Sequence, residues 1–427
     1  MNAEREANAA TYRVAIVAAC PFPTLQGSQL LIRRLARGLT DRGHGVVVVT
    51  YAEGLEVDLA SIPVRRIRRI PGFRARGSGP HPAKLVLDGV LLATVLRVLR
   101  EERIDVVHAH NYEAALIGLV ASRLAGIPLI YHSHNALAEE LPTYFRSRSV
   151  RHLARLFGAL VDREIPRRAD HCIAISRELL EFLRLRGVDE DAVRMIAPGG
   201  STAEFPPRSA MEMARTRRRF GFDAHPILLY TGNLDRYQNL ELLLHSIHHV
   251  RREAATAQLV LATHAAPRDL PHVLRHPPPG VRLVTAGDFA TVRDLLQVAD
   301  LALCPRREWS GFPMKLLNYM AAGKAVVVSA GSAKAVQHGV NGWVVPDSDP
   351  TAYAGAIIQL LRDPALRARL GAAARRTVED EYGWDRVLDQ VEATYRYVLA
   401  TASTERSPRL GWGAGPWMTR LARALWT

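Results

Sequence analysis

Lysine is almost absent from this chain. Of its 56 basic residues only Lys84, Lys315, Lys324 and Lys334 are lysine; the other 52 are arginine. A lysine at a turn-to-helix junction therefore stands out from the general positive charge. Cysteine is scarce as well. The three residues, Cys20, Cys172 and Cys304, each lie in or beside an apolar, strand-like run. Their odd number and non-metal spacing exclude a disulfide framework and fit buried, reduced thiols of a cytosolic protein. No apolar run reaches membrane-spanning length, since the best candidate, 85–99, is broken by Asp88 and Arg97. The N-terminal MNAEREANAATYR lacks the basic start of a signal peptide. The expectation is a cytoplasmic protein, attached at most peripherally to the inner face of the membrane.

What is present is a long, globular composition. With 427 residues, 48% hydrophobic and 23% charged, the chain is too long for one ordinary core and too apolar for disorder. The net charge of +14 suits either a solvated arginine-rich surface or attraction to phosphates. Residues 13–20 read as a buried strand, followed by a loop at 21–27. A helix then runs from about Ser28, a good N-cap, to Arg42, with Leu31, Leu35 and Leu39 on one face, and 46–50 is a second buried strand. This βαβ unit implies a parallel sheet covered by helices. Further strands are expected at 105–108, 128–131, 171–175 and 193–196, with helices near 83–102, 113–125 and 146–168 between them. After the break at 198–207 the pattern restarts, with strands at 227–230, 258–262, 281–285, 301–304 and 325–328. The fold expected is α/β: two Rossmann-like, doubly wound domains facing across a cleft. Residues 12–200 form the first, 208–380 the second, and 381–402 a helix crossing back to the first. Residues 403–427 form a Gly/Pro/Trp tail. In it Trp417, Leu421, Ala424 and Leu425 can share one helical face opposite Arg420 and Arg423, as a helix docked on the protein itself or an anchor on acidic lipid.

The most telling stretch is 308–323, EWSGFPMKLLNYMAAG. It lies between two apolar runs and reads as strand, glycine turn, helix, strand. Pro313 suits the first helical turn and Gly323 the left-handed residue after the last. Lys315 and Asn318 share a face distinct from that of Met314, Leu317, Met320 and Ala321. A glycine turn thus meets a helix N-terminus at the carboxyl end of a strand, with a cation and an amide nearby, which is where an open α/β sheet takes a phosphate-bearing ligand.

These residues, with LTDRGHGVVVV (39–49), DVVHAH (105–110), the strand ending at His134, YTGNLD (230–235) and NGWVVP (341–346), resemble glycosyltransferase family 4. This is a family of retaining nucleotide-sugar glycosyltransferases with the GT-B fold. The similarity spans about residues 12–400, and the ordered set is specific although each piece alone is weak. The chain departs from the family's Glu-x7-Glu motif. The two glutamate positions are Ser310 and Asn318, Gly-Phe-Gly reads Gly311-Phe312-Pro313, and Glu308 lies two residues early. The Arg and Lys that the family sets after the first strand of its nucleotide domain are here Asn233 and Gln238. The chain is similar to a branch in which these changes occur together with a lysine on the second loop.

The resemblance implies transfer of a sugar from a nucleotide diphosphate sugar, UDP- or GDP-linked first, to an acceptor hydroxyl with retention. The acceptor would be a glycan, lipid-linked or of the cell envelope. No cofactor and no metal are implied. Lys315, the Gly311, Phe312, Pro313 and Met314 backbone at the helix start, whose N–H donors are those of Gly311, Phe312 and Met314, and the Gly27-Ser28 loop would meet the departing diphosphate, whose growing charge preorganised donors stabilise. His134 matches the position where a histidine contacts the donor sugar. Gly232, Asn233, Gln238, Glu308, Ser310 and Asn318 complete the donor side, and Asn318 accepts from ribose without a charge. His110 and Glu140 are weaker, acceptor-side candidates; a histidine at a strand end is more often structural. Two rivals stand: a catalytically weak sugar-nucleotide or glycan-binding protein, favoured by the missing glutamates, and a sugar-nucleotide epimerase or hydrolase of similar build. The acidic triplets 189–191 and 347–349 read as solvated turns. The basic segments 65–76 and 146–168 lack the aromatic interleaving of nucleic-acid binders and suit an anionic membrane surface better.

Overall fold

The computed structural model describes residues 10–24, 27–55, 59, 62–73, 81–222 and 225–404. They fall into two compact units. One contains the chain up to Ile196 together with the segment from Leu388 onward; the other is Ala197–Val387.

The first unit runs β1 (Arg13–Ala18), α1 (Gly27–Asp41), β2 (Gly45–Thr50), β3 (Val64–Arg66), α2 (Pro82–Glu101), β4 (Val106–His110), α3 (Asn111–Ala125), β5 (Leu129–Ser133), α4 (Leu137–Glu140), α5 (Arg148–Glu164), β6 (His171–Ala174), α6 (Arg177–Leu185) and β7 (Val193–Met195). The seven strands lie in the order β3-β2-β1-β4-β5-β6-β7, every pairing parallel. Strands such as VVVV and AIVA are buried throughout because helices cover both faces, so they carry no alternation of polar and apolar residues. The second unit runs α7 (Ala210–Arg219), β8 (Ile227–Thr231), α8 (Leu240–Glu253), β9 (Gln258–Thr263), α9 (His272–Arg275), β10 (Val281–Thr285), α10 (Phe289–Val298), β11 (Leu301–Cys304), α11 (Met314–Ala321), β12 (Val326–Ser329), β13 (Trp343–Val345), α12 (Pro350–Arg362) and α13 (Pro364–Glu381). Its sheet has the order β10-β9-β8-β11-β12-β13, again parallel. A last helix, α14 (Trp384–Thr404), belongs to the first unit from Leu388 on, where Leu388, Val391, Tyr395 and Val398 are buried. Leu388 packs so closely on Gly38 of α1 that a Cβ there would lie 2.5 Å from its Cδ1.

Both sheets reverse strand order once, at β1/β4 and at β8/β11. The carboxyl ends of the strands flanking such a reversal are where open α/β sheets leave a crevice.

Several local expectations need correction. Helix α1 begins at Gly27, so Ser28 is its second residue, not its cap. Pro313 is the cap residue of α11, with ψ 94°, rather than a residue of its first turn. Strand β4 runs two residues beyond its valine-rich part and β5 ends at Ser133, because sheet pairing continues past the strongest hydrophobic signal. Residues 405–427, with the Trp417–Trp426 segment read as a possible helix, lie outside the described residues, as do residues 74–76 of the first basic segment. Among the described residues no helix is long and apolar enough to cross a membrane.

Candidate active site

In the second unit, the loops after β8 and β11 meet around one lysine. Lys315 sits in the first turn of α11 with its ammonium 2.8 Å from Gln238 Oε1 and 3.9 Å from the centre of the Tyr230 ring. A cation over an aromatic face is electrostatically favoured. Gly232, at φ 127°, passes directly beneath: a Cβ there would lie 3.1 Å from Lys315 Nζ. Only glycine combines that backbone angle with so close an approach. Tyr230 is anchored in turn, donating its hydroxyl to the Asn233 carbonyl at 2.6 Å, and Tyr319 OH accepts from the Thr231 amide at 2.8 Å. The other lysines are used differently. Lys84 pairs with Glu113, while Lys324 and Lys334 bond backbone carbonyls. Burial, the dominant cause, pulls the Lys315 ammonium down to about 7; nearby Arg306 adds to this, and Cys304 and Asp235 oppose it.

The remaining candidates of this unit surround the same point. Asn233 donates to Asp235 at 2.7 Å and to Tyr237 OH at 2.8 Å, and its Oδ1 is buried without a partner. Gln238 is buried. Gly311 has φ 84° and turns the chain toward the start of α11, and Phe312 is buried. Ser310 is buried, its carbonyl bonded by Arg306. Glu308 holds one carboxylate oxygen 3.7 Å from the Arg307 guanidinium, and the other is buried without a partner. Met314 and Asn318 are half-buried on α11, Asn318 one turn beyond Lys315. Thus Lys315 reaches both Gln238 and Gly232, and Asn233 is tied to the same Tyr230.

In the first unit the sheet register makes a cluster that no motif announced in full. His110 is the Cα partner of His132, with His108 two residues earlier on β4, so these three project from one face; His134 lies two residues after His132, just past the end of β5, and its ring meets theirs. All are buried. His108 Nδ1 lies 2.7 Å from Tyr395 OH of α14, and its Nε2 lies 3.0 Å from His132 Nδ1. His110 Nδ1 lies 2.9 Å from His134 Nε2. The Nε2 atoms of His110 and His132 are buried without partners. Burial holds all four rings neutral: His134 is lowered to about 4 and His108 to about 3, with the others well below their ordinary value. His134 is therefore poised to donate or accept a hydrogen bond rather than to act as a cation.

Two features around His134 escaped the sequence reading. Asp162, buried on α5, accepts from the amides of Leu137 and Ala138 at 3.0 and 2.8 Å, pinning the loop that follows His134. Desolvation pushes its carboxyl up to about 6 against those two bonds. Asn111, immediately after His110, takes φ 68°, a strained angle for a residue with a Cβ. The only signal for Asp162 was an acidic residue inside an arginine-rich helix. Glu140 is held locally, bonded by Asn135 and by Tyr144 OH, the latter at 2.8 Å. Ser28 donates to Gln29 at 2.9 Å, and Gly27 opens α1.

Among the described residues, His108, His110 and His132 form a group able to hold a metal, with ligand atoms within 4.8 Å of one another. Tetrahedral zinc needs nitrogens roughly 3.4 Å apart. Both ring nitrogens of His108 are already engaged, so the group fits a hydrogen-bonded chain better than a preformed metal site.

Residues 26–199 match the family model described as a glycosyl transferase 4-like domain, and residues 225–363 the model of glycosyl transferases group 1. The chain belongs to glycosyltransferase family 4. D-inositol 3-phosphate glycosyltransferases are similar along almost their whole length. That of Xylanimonas cellulosilytica is 28% identical, covering 90% of this chain and 93% of its own. That of Acidothermus cellulolyticus is also 28% identical, covering 90% and 88%. Among solved structures, sucrose-phosphate synthase from Thermosynechococcus elongatus superposes with a TM-score of 0.76 at 20% identity, covering 91% of this chain and 100% of its own. HepE of Anabaena in complex with UDP and glucose gives 0.73 at 17%, covering 90% and 100%. The protein is thus a glycosyltransferase with two parallel-sheet α/β domains of the GT-B architecture.

Proposed function

We propose that this glycosyltransferase takes a hexose from a uridine or guanosine diphosphate sugar and moves it, with retention, to a hydroxyl of a lipid-linked or cell-envelope acceptor. The single observation that carries the reading is Lys315: a half-buried, partly desolvated ammonium over Tyr230, against Gly232 and at the start of α11, with a neutral amide as its side-chain hydrogen-bond partner. A diphosphate leaving group is the natural counter-charge for such a cation. Asn318 on the same helix accepts from the ribose, and Glu308, with one oxygen buried and unpartnered, is the carboxylate nearest in sequence to the altered motif. In the other unit His134, held by His110 and by the Asp162-pinned loop, contacts the transferred sugar. HepE has been crystallised with UDP and with UDP-glucose, which supports a uridine nucleotide. The relatives are D-inositol 3-phosphate glycosyltransferases, which makes a phosphorylated inositol the first alternative acceptor to try.

In chemical terms the bond between the anomeric carbon and the diphosphate oxygen breaks, and a bond forms from the acceptor hydroxyl to the same face of the sugar. The acceptor proton goes to the departing phosphate oxygen. Lys315 and the α11 amides stabilise the charge that accumulates there. The test is turnover of a panel of UDP- and GDP-sugars by the purified full chain, with proton NMR of the product anomer. An inverted product removes retention, and binding without turnover of any donor would favour a binding protein instead.

A further inference from the structure

The loops that follow β8 and β11 are tied together, and the tie sets two cations side by side. After β8 a single 3₁₀ turn, Arg236–Gln238, ends at Asn239, which takes φ 56°. The Asn239 side-chain amide donates to the carbonyls of Pro305 at 3.2 Å and Asp347 at 3.3 Å. Tyr237 thereby meets the residue after Pro305: the Arg306 guanidinium lies 5.3 Å over the centre of the Tyr237 ring. Asn233 joins this ring to the one beneath Lys315. Its amide donates to Tyr237 OH at 2.8 Å, and its carbonyl accepts from Tyr230 OH at 2.6 Å. Arg306 and Lys315 thus stand over neighbouring aromatic rings at the carboxyl ends of β8 and β11. They are close enough for Arg306 to contribute to the lowering of Lys315.

Neither cation is neutralised. Among the described residues no carboxylate is in ion-pair reach of Arg306 or Lys315, because the acids of these loops are engaged elsewhere. Asp235, whose charge Lys315 feels, accepts from Asn233 at 2.7 Å. Asp347 accepts from the Gly331 amide at 2.7 Å, and Glu308 lies 3.7 Å from Arg307. Arg306 donates to the Ser310 carbonyl, but its Nε is buried with no partner. Two like charges held together, one with an unpaired buried N–H, are unfavourable until an anion completes them. We propose that Arg306 is the second cation of the diphosphate site, Lys315 taking one phosphoryl group and the Arg306 guanidinium the other. Asn233 and Gln238 hold no charge, so the loop after β8 supplies neutral support while the loop after β11 and the start of α11 supply both cations. A guanidinium adds a planar fork of donors to the point charge of an ammonium. Two cations suit a donor with two phosphoryl groups, a nucleoside diphosphate sugar rather than a monophosphate one. The inference rests on the donor part of the functional reading.

Calorimetric titration of the full chain with UDP, inorganic pyrophosphate and, by competition, uridine tests it. Arg306→Gln should weaken UDP and pyrophosphate about tenfold or more, as loss of a charge-assisted hydrogen bond does, and leave uridine within about threefold of wild type. Its UDP affinity should also depend less steeply on salt, since one ion pair fewer is screened. The alkaline fall in UDP affinity should begin at higher pH, because Lys315 loses a neighbouring cation. A role confined to holding the Ser310 carbonyl would move neither of these two readouts. Arg306→Lys keeps the charge without the fork and should recover part of the affinity; it carries the test alone, with a loss of about threefold or more, if Arg306→Gln does not fold. Unchanged UDP affinity in the variants would overturn the proposal, as would equal losses for UDP and uridine with an unchanged salt slope. A wild type that binds pyrophosphate, weakened by Arg306→Gln, but no uridine or guanosine diphosphate would sink the nucleotide assignment and leave Arg306 in place. A wild type that binds none of them would overturn both.

Discussion

Lys315 stands where its charge is costly. Burial draws it down to about 7, so near neutral pH a fraction of the free protein holds it uncharged. A bound diphosphate would raise it, and binding above that value then takes up a proton. Nucleotide affinity should fall as pH rises from about 7, by up to about tenfold per pH unit for one linked proton, until the bound-state value is reached. Calorimetric titration with UDP at pH 6.5, 7.5 and 8.5 in buffers of different ionisation enthalpy checks this; a flat profile contradicts it. Lys315→Met keeps the bulk and removes the charge. It should lower kcat/KM by about 100-fold or more, as loss of a preorganised oxyanion donor does, without lowering Tm, because a buried ammonium is desolvated at a cost in the free protein. The sequence made Lys315 conspicuous through the rarity of lysine. It could not show Tyr230 beneath it or Gln238 beside it, since these contacts join segments separated by 77 positions or more.

The paired strands β4 and β5, with His134 just beyond β5, carry a pH dependence of their own. Their four histidines have folded values below the unfolded value of about 6.5, so the unfolded chain binds more protons as pH falls through that point. Stability is therefore full above about 6.5 and is lost toward pH 4, with a slope of up to about 1.4 kcal/mol per pH unit for each histidine. Urea unfolding of wild type and His132→Phe between pH 7 and pH 4.5 should show the shallower slope in the variant. The loop after β5 offers a second check. Asp162→Ala leaves two buried amides, those of Leu137 and Ala138, unpaired and should cost about 2–4 kcal/mol. It should also loosen the protein next to His134, read as faster hydrogen exchange at residues 135–138. The strands were legible as valine-rich runs. The histidine cluster was not, because it depends on register: His110 faces His132 only when β4 and β5 pair as they do.

The chain's two units give the molecule two independent cores, one of which is completed from a distance. Tyr395 and Val391 of α14 are fully buried, and Tyr395 bonds His108, although 287 positions separate them. Tyr395→Ala should therefore destabilise the first unit by about 3–5 kcal/mol. It should leave the UDP-induced thermal shift of the second unit intact. Scanning calorimetry with and without UDP checks both, since a ligand raises only the transition of the unit that binds it.

Parallel sheets, two of them, were determined by the sequence itself: buried strands need continuous apolar runs, helices between them need their own periodicity, and both signals are local. The phosphate-type turn at 311–323 was local too, written in glycine, proline and a rare lysine. Three things required the folded chain. Strand register gathered three histidines on one face, an acidic residue on α5 fixed the loop beyond His134, and α5 buried its small residues while leaving its leucines outside. Each depends on which segments become neighbours, and burial and hydrogen bonding between distant segments are settled only by packing.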